Sequence, residues 1–326
     1  MQKSFEQIQE EEFNLATELY KKQIIKGPKV CKCGNKAFTI QKDASYKTSG
    51  IIFRCNSYKC KAKFNIRINS FFEKFSKITL KICLEVIRAM LVLNLNAKKA
   101  YELITNTLKE NININTLRAI YKEIRNIICR YYFILYQSES LGEFNAHEYF
   151  SIDESLFTHL KDGTQIWVLG IINNLTKDFR LEATKSRDAE TLEKFLINYI
   201  QPGNTIICDG WSGYQFIDGL NGFTRITHNH GAGDFGYGLA STSHIEGLWS
   251  ILKSKIKDSY HIIPSKKFIS FLREAEFKVK HRHLSSNEII KEFSDTYEFL
   301  LNTDDVILNE KLFLSDSDFD NEIKIK

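Results

Sequence analysis

The 326-residue chain contains no run of 18 or more apolar residues, so no membrane-spanning helix is expected. Its first segment, Met1–Glu12, is polar and acidic and lacks the apolar stretch of a secretory signal. The seven cysteines, an odd number, do not suggest a disulfide framework in a chain this long. The expected compartment is therefore reducing: the nucleus if the source is eukaryotic, the cytoplasm or nucleoid if it is bacterial. No internal repeat is evident. Acidic residues are scarce between Ile51 and Arg130, where 16 Lys/Arg face 5 Asp/Glu, and between Lys253 and Arg282, where 9 face 3. The balance reverses from Glu292 to Glu322, which holds 10 acidic residues and only Lys311 as a base. Basic middle segments suit a polyanion such as double-stranded DNA. The plainer alternative is lysine on solvated helix faces. An acidic end of this kind reads as solvated and partly disordered.

What the chain does contain falls into segments. Residues 1–28 read as a short helix ending before Gly27-Pro28. Residues 29–70 are strand-like and hold Cys31, Cys33, Cys55 and Cys60, with Gly34 placed for a tight turn. Four thiolates from two knuckles can make one structural Zn²⁺ site, and a module this small gains stability from a metal. The spacing departs from the usual two intervening residues: here there is one, then four. Cys83, Cys129 and Cys208 sit in apolar patterns and read as core. Residues 71–140 look helical. Thr79–Leu93 has an apolar face, Asn96 can cap a second helix and Asn115 a third that runs from Thr116 to about Tyr132. Three helices in a basic region are compatible with a helix-turn-helix unit whose exposed face carries Arg118, Lys122 and Arg125. An ordinary lysine-rich bundle fits equally well.

Residues 141–290 alternate strand and helix. Strands are expected at Tyr149–Asp153, Ile166–Ile172, Phe179–Ala183, Thr205–Cys208 and Phe223–His228. An amphipathic helix is expected over Ala189–Ile200, and a further one opens near His244. Asp153 and Asp209 end strands, and Glu246 opens a helix. Three carboxylates converging from separate elements can hold Mg²⁺ or Mn²⁺, two per site, and so promote attack on a phosphodiester. Glu154 should face away from Asp153, because neighbouring strand residues point to opposite faces. His228, His230 and His244 border a glycine-rich loop and are candidates for contact with scissile DNA or for acid–base work; surface histidines on a flexible loop are the alternative.

The motifs that carry these residues also resemble a family. They are Asp-Glu-Ser at 153–155, Trp-Val-Leu-Gly at 167–170, Ile-Xaa-Pro-Gly-Asn-Thr-Ile-Ile at 200–207 and Asp-Gly-Trp-Ser-Gly-Tyr at 209–214. His-Asn-His-Gly at 228–231 and Ser-Thr-Ser-His-Ile-Glu-Gly-Leu-Trp at 241–249 complete the set. In this order they are similar to the catalytic domain of Merlin-type DDE transposases and their bacterial insertion-sequence relatives with an ISXO2-like domain. The resemblance implies an α/β, RNase H-like catalytic domain preceded by a zinc-ribbon-like module and a helical DNA-binding region. It implies Asp153, Asp209 and Glu246 as catalytic metal ligands, and Lys253 as the lysine that holds DNA phosphate. Two departures stand out. Ser243 replaces the Asn many relatives carry before the last acid, with His244 following it, and the stretch Ser155–Gln165 is short.

The reading is a transposase that binds terminal inverted repeats, cleaves DNA and joins the 3′-hydroxyl ends to target DNA. Cutting two ends together implies a homodimer or larger assembly. The rivals are a domesticated DNA-binding protein, a zinc-ribbon transcription factor and an RNase H-like nuclease acting on RNA or hybrids. The expected acidic tail covers residues 291–326.

Overall fold

The computed structural model describes residues 4–43, 45, 50–160, 162–229, 233–234, 236–259, 262–264, 267–303 and 322–324. The chain divides into two compact units, residues 1–131 with 281–305 and residues 132–280 with 306–326. The limits at 131 and 280 differ from the segment limits at 140 and 290 expected from the sequence.

In the first unit, helix α1 (Phe5–Lys21) opens with a reciprocal capping box between Ser4 and Gln7 and buries Ala16 and Leu19. Strands β1 (Phe38–Lys42), β2 (Ile51–Cys55) and β3 (Lys63–Asn65) form an antiparallel sheet in that order. Helix α2 (Leu80–Ile87) is capped by the Thr79 hydroxyl and runs on into a π-helical turn, Arg88–Val92. Helix α3 (Ala97–Glu102) is capped by Asn96, as the sequence predicts. Helix α4 (Ile114–Ser138) departs from prediction at both ends. Its cap is Asn113, not Asn115: the Asn113 carboxamide oxygen accepts from the Asn115 N–H at 2.8 Å. It also continues past Tyr132, with Tyr132 and Tyr136 buried.

Two buried charges tie this unit together. The Glu12 carboxylate on α1 accepts from the first N–H groups of α2, those of Leu80 and Lys81, at 2.9 and 3.1 Å. Those donors have no partner inside their own helix, and a carboxylate there is also attracted by the positive end of the helix dipole. Arg67 donates to the carbonyls of Phe75 and Ile78 at 3.0 and 2.6 Å. Helix α8 (Ser286–Asn302) corrects the expected acidic tail. It buries Ile289, Ile290, Phe293 and Tyr297, and Phe293 meets Phe71 edge-on at 5.1 Å. Its acids Glu292, Asp295 and Glu298 fall on the polar side of an amphipathic helix. The rest of the expected tail, residues 304–321, lies outside the described residues; Glu322–Lys324 pairs as a strand with Ile262–Pro264.

The second unit is built on a five-stranded mixed sheet. Its strands are β4 (Tyr149–His159), β5 (Gln165–Asn173), β6 (Phe179–Thr184), β7 (Thr205–Asp209) and β8 (Thr224–His228). The order is β6-β5-β4-β7-β8, with β4, β5 and β6 antiparallel and β7 and β8 parallel to β4. This arrangement is consistent with the RNase H-like domain anticipated from the motifs. Strand β4 is longer than predicted because Glu154–His159 continues the ladder with β5, through a bulge between Leu156 and Thr158. Helix α5 (Ala189–Tyr199) buries Leu192, Phe195 and Leu196. A two-residue-strand hairpin, β9 (Gly236–Tyr237) and β10 (Ala240–Ser241), leads into α6 (Ser243–Ser259), and α7 (Phe268–Lys280) follows.

Helix α7 changes the meaning of the basic window 253–282. Arg273 is buried and donates to Glu276 at 2.8 Å and Glu182 at 3.1 Å; buried Lys278 pairs with buried Glu274; Lys280 pairs with Asp178 at 2.8 Å. Three of the window's nine bases are thus neutralised by carboxylates within the unit, and their charge is not offered to a polyanion.

Candidate active site and cysteine cluster

Strands β4 and β7 pair in parallel through Ser151 and Ile207. Asp153 and Asp209 each lie two residues beyond that pair, so the pleat sends both toward the same end of neighbouring strands. Asp209 accepts from the Trp211 N–H at 3.0 Å, which closes the turn after β7. Asp153 is half-buried, and its Oδ2 accepts from the Trp249 indole N–H at 2.8 Å. Burial pushes the Asp153 carboxyl up to about 7, and the neighbouring carboxylates of Glu154 and Asp209 push the same way.

Glu154 behaves as the strand period requires. It accepts from Tyr214 Oη at 2.6 Å and from Arg187 at 2.9 Å, away from Trp249. The Arg187 guanidinium lies between the rings of Trp167 and Trp211, 4.2 and 4.7 Å from their centroids. No local signal links positions 154, 167, 187 and 211, which only the sheet order brings together.

Helix α6 buries Ile245, Leu248, Leu252 and Ile256. Trp249 and Lys253 lie three and seven residues after Glu246, one face of the helix. Trp249 reaches Asp153, and the Lys253 ammonium sits 5.3 Å from the Phe157 ring centroid. Burial lowers the Lys253 pKa, while the negative Asp153 works against that drop. Glu246 therefore starts the helical stripe that meets Asp153.

His244 projects elsewhere. Its ring is 3.0 Å from the Gly238 carbonyl through Nε2 and 3.0 Å from Lys177 Nζ through Nδ1. His228 is the register partner of Asp209 across β7 and β8, and its Nδ1 lies 3.1 Å from Asp234. His230 lies outside the described residues. Arg118 and Lys122 are exposed on α4, and the Arg125 guanidinium lies 5.8 Å from the Tyr121 ring. Their spacing of four and three residues places them on one side of the helix.

The four cysteines of the first unit converge despite their irregular spacing. Their sulfurs all lie within 4.8 Å of one another, with Cys31–Cys60 at 3.5 Å and Cys33–Cys55 at 3.6 Å. Gly34 turns with φ +83°, and the Cys31 N–H and Asn35 carbonyl close the first knuckle at 2.8 Å. The cluster can hold a zinc ion. Among the described residues this is the group of three or more candidate ligands drawn that tightly; Asp153, Asp209 and Glu246 are not. The acid site still fits a hard divalent cation. Asp153 and Asp209 lie on neighbouring strands just past their parallel ladder, and the half-buried Asp153 carboxyl feels the charges of Glu154 and Asp209.

These features define a class: a mixed α/β domain with acids on neighbouring parallel strands, just past the ladder that pairs them. Residues 158–280 match the ISXO2-like transposase domain. That stretch of the chain is therefore similar to an ISXO2-like transposase domain. The match covers Asp209, Glu246 and Lys253, and begins five residues after Asp153. No curated protein matches the chain.

Proposed function

We propose that the protein is a DDE transposase in which Asp153, Asp209 and Glu246 hold Mg²⁺ or Mn²⁺, and that it cuts DNA at terminal inverted repeats and joins the 3′ ends to target DNA. The observation that carries this reading is the matched position of Asp153 and Asp209 on parallel neighbours, faced by the α6 stripe of Glu246, Trp249 and Lys253. Bound there, two divalent cations would supply an activated attacking oxygen and a stabilised leaving oxygen. The chain's own residues bind and orient. The two aspartates offer oxygens from fixed strands, Glu246 offers one from the helix, and Lys253 meets a DNA phosphate as a point charge. Both cutting and joining are displacements at phosphorus, so one site serves both and no covalent protein–DNA link is needed. Two ends must be processed together, which calls for at least a dimer.

The test is cleavage of labelled duplexes carrying the element's ends by the full chain, with Mg²⁺ and with chelator. Metal-dependent nicking at the ends is expected; its absence on every duplex, with activity on RNA–DNA hybrids instead, would turn the reading to a nuclease. Glu246→Gln should lose cleavage and His244→Ala should keep most of it, because the His244 ring is committed to Lys177 and Gly238. The reverse result would move the third ligand to His244.

For DNA binding we propose the basic helical region, with Arg118, Lys122 and Arg125 as phosphate or groove contacts. Replacing Arg118 or Lys122 by Ala should lower the slope of log K against log[salt] by about one and weaken all sequences alike if the side chain meets phosphate. Unchanged slopes for both, with full affinity, would remove α4 from the interface.

A further inference from the structure

We infer that Trp249 is the positioning residue of the acid site, holding the Asp153 carboxylate in its ligand orientation through the indole N–H while Gly170 provides the indole's seat. The inference rests on the proposed role of Asp153. A strand fixes an aspartate's backbone but not the rotation of its carboxylate, and metal ligands are commonly fixed by a hydrogen bond to the oxygen or nitrogen that does not bind the ion. Trp249 Nε1 donates to Asp153 Oδ2 at 2.8 Å, a side-chain bond added to the one the carboxylate accepts from the Glu154 backbone N–H. Indole is well chosen for this place. It donates and never accepts, so it favours the ionised carboxylate, and it carries no charge that would compete with a metal.

The ring is itself held against two strands. Gly170 is the cross-strand partner of Asp153 on β5. A Cβ at Gly170 would come within 2.5 Å of Trp249 Cη2 and 2.8 Å of Cζ2, so only glycine lets the indole lie flat enough against β5 to reach the acid. Phe157, two positions further along the same face of β4 than Ser155, meets Trp249 edge-on with centroids 6.0 Å apart. Trp249 is 6% exposed, so its donor faces a protein partner and not solvent. Ile245 and Leu248 anchor the helix on either side. The Trp-Val-Leu-Gly and Glu-Gly-Leu-Trp motifs, far apart in sequence, are thereby two halves of one device.

The experiment compares the full-length protein with Trp249→Phe, Gly170→Ala and Asp153→Asn, reading Mn²⁺ binding by calorimetry, DNA affinity, melting without metal, and end cleavage. Trp249→Phe keeps the ring and removes only the donor. Its Mn²⁺ affinity should fall on the order of 10–100-fold, the usual effect of losing such a support, and high Mn²⁺ should recover part of the cleavage. DNA affinity and metal-free melting should stay near those of the parent. Gly170→Ala, which retains the N–H and displaces it, should show the same metal defect. Mn²⁺ binding by Trp249→Phe within twofold of the parent, beside an Asp153→Asn protein that has lost it, would overturn the role of Trp249 and leave Asp153 standing. Parental Mn²⁺ binding and cleavage by Asp153→Asn would overturn the underlying reading and this inference with it. A Trp249→Phe protein whose melting collapses without metal, while its remaining folded fraction binds Mn²⁺ normally, would make Trp249 a packing residue and also overturn the inference.

Discussion

Asp153→Asn should abolish strand cleavage, by three orders of magnitude or more, while making the metal-free protein more stable above neutral pH. The two halves of this result come from one cause. In the folded chain, burial and then the carboxylates of Glu154 and Asp209 raise the Asp153 pKa from 3.8 to about 7. The folded state therefore holds a proton that the unfolded state has released between those values. Stability conferred by that proton is present below about pH 4 and is lost as pH rises to 7. Above pH 7 the folded protein carries the full cost of a crowded anion. Asn has nearly the same shape, no charge, and an oxygen that can still accept from Trp249. The gain should be on the order of 1–4 kcal/mol in the absence of metal, read as a higher midpoint in denaturant. Asp209→Asn should likewise cut no DNA. Near-normal Mg²⁺-dependent nicking by either variant would remove it from the ligand set, and an Asp153→Asn protein less stable than its parent at pH 8 would show that the site is not strained by its charge.

Much of this unit was legible in advance because its signals are local. Apolar runs marked β5, β6 and β7, and an amphipathic stretch marked α5. Strand alternation alone sends Glu154 away from Asp153, toward Tyr214 and Arg187. What was not legible depends on pairs distant in sequence. Trp249 and Gly170 each carry an ordinary label, core aromatic and motif glycine, until the sheet brings β5 beneath α6. The basic window 253–282 misled for a related reason. Charge counting presumes that lysine and arginine are solvated, whereas α7 turns Arg273 and Lys278 inward onto Glu182, Glu276 and Glu274. Buried charge can be tolerated only when paired, and pairing cannot be seen from one helix. The end of the chain shows the same limit. Acids at 292, 295 and 298 suggested a solvated tail, but they share an amphipathic helix with Ile290, Phe293 and Tyr297. In the first unit the Glu12 cap on α2 spans 68 positions and could not be anticipated from spacing.

Removal of metal from the cysteine cluster should unfold the β1–β3 module and leave the five-stranded sheet protected. We expect about one zinc per chain in protein purified without chelator. The sulfur–sulfur separations of 3.5 and 3.6 Å exceed any disulfide bond and approach the roughly 3.8 Å edge of a tetrahedron with Zn–S near 2.3 Å. Cys33 is already disposed to ionise. The Asn35 backbone N–H, with the thiols of Cys31, Cys55 and Cys60, lowers its pKa from 9.0 to about 7. A thiolate is the form that binds metal, so zinc should be retained at neutral pH and released as acid protonates the sulfurs. The expectation rests on the size of the module, whose sheet has strands of five, five and three residues. So little β structure closes few loops on its own, and zinc binding worth about 10–16 kcal/mol in isolated zinc-finger peptides is enough to decide whether such a module folds. Cys60→Ser removes one of four ligands and should lower zinc content and speed hydrogen exchange across β2 and β3, with β4, β5 and β7 unchanged. The measurements are elemental analysis and residue-resolved hydrogen exchange before and after chelation. Protein that carries no zinc, and whose four thiols react freely with a thiol reagent while β2 stays protected, would mean that the cysteines converge without a metal and that the module folds on its packing alone.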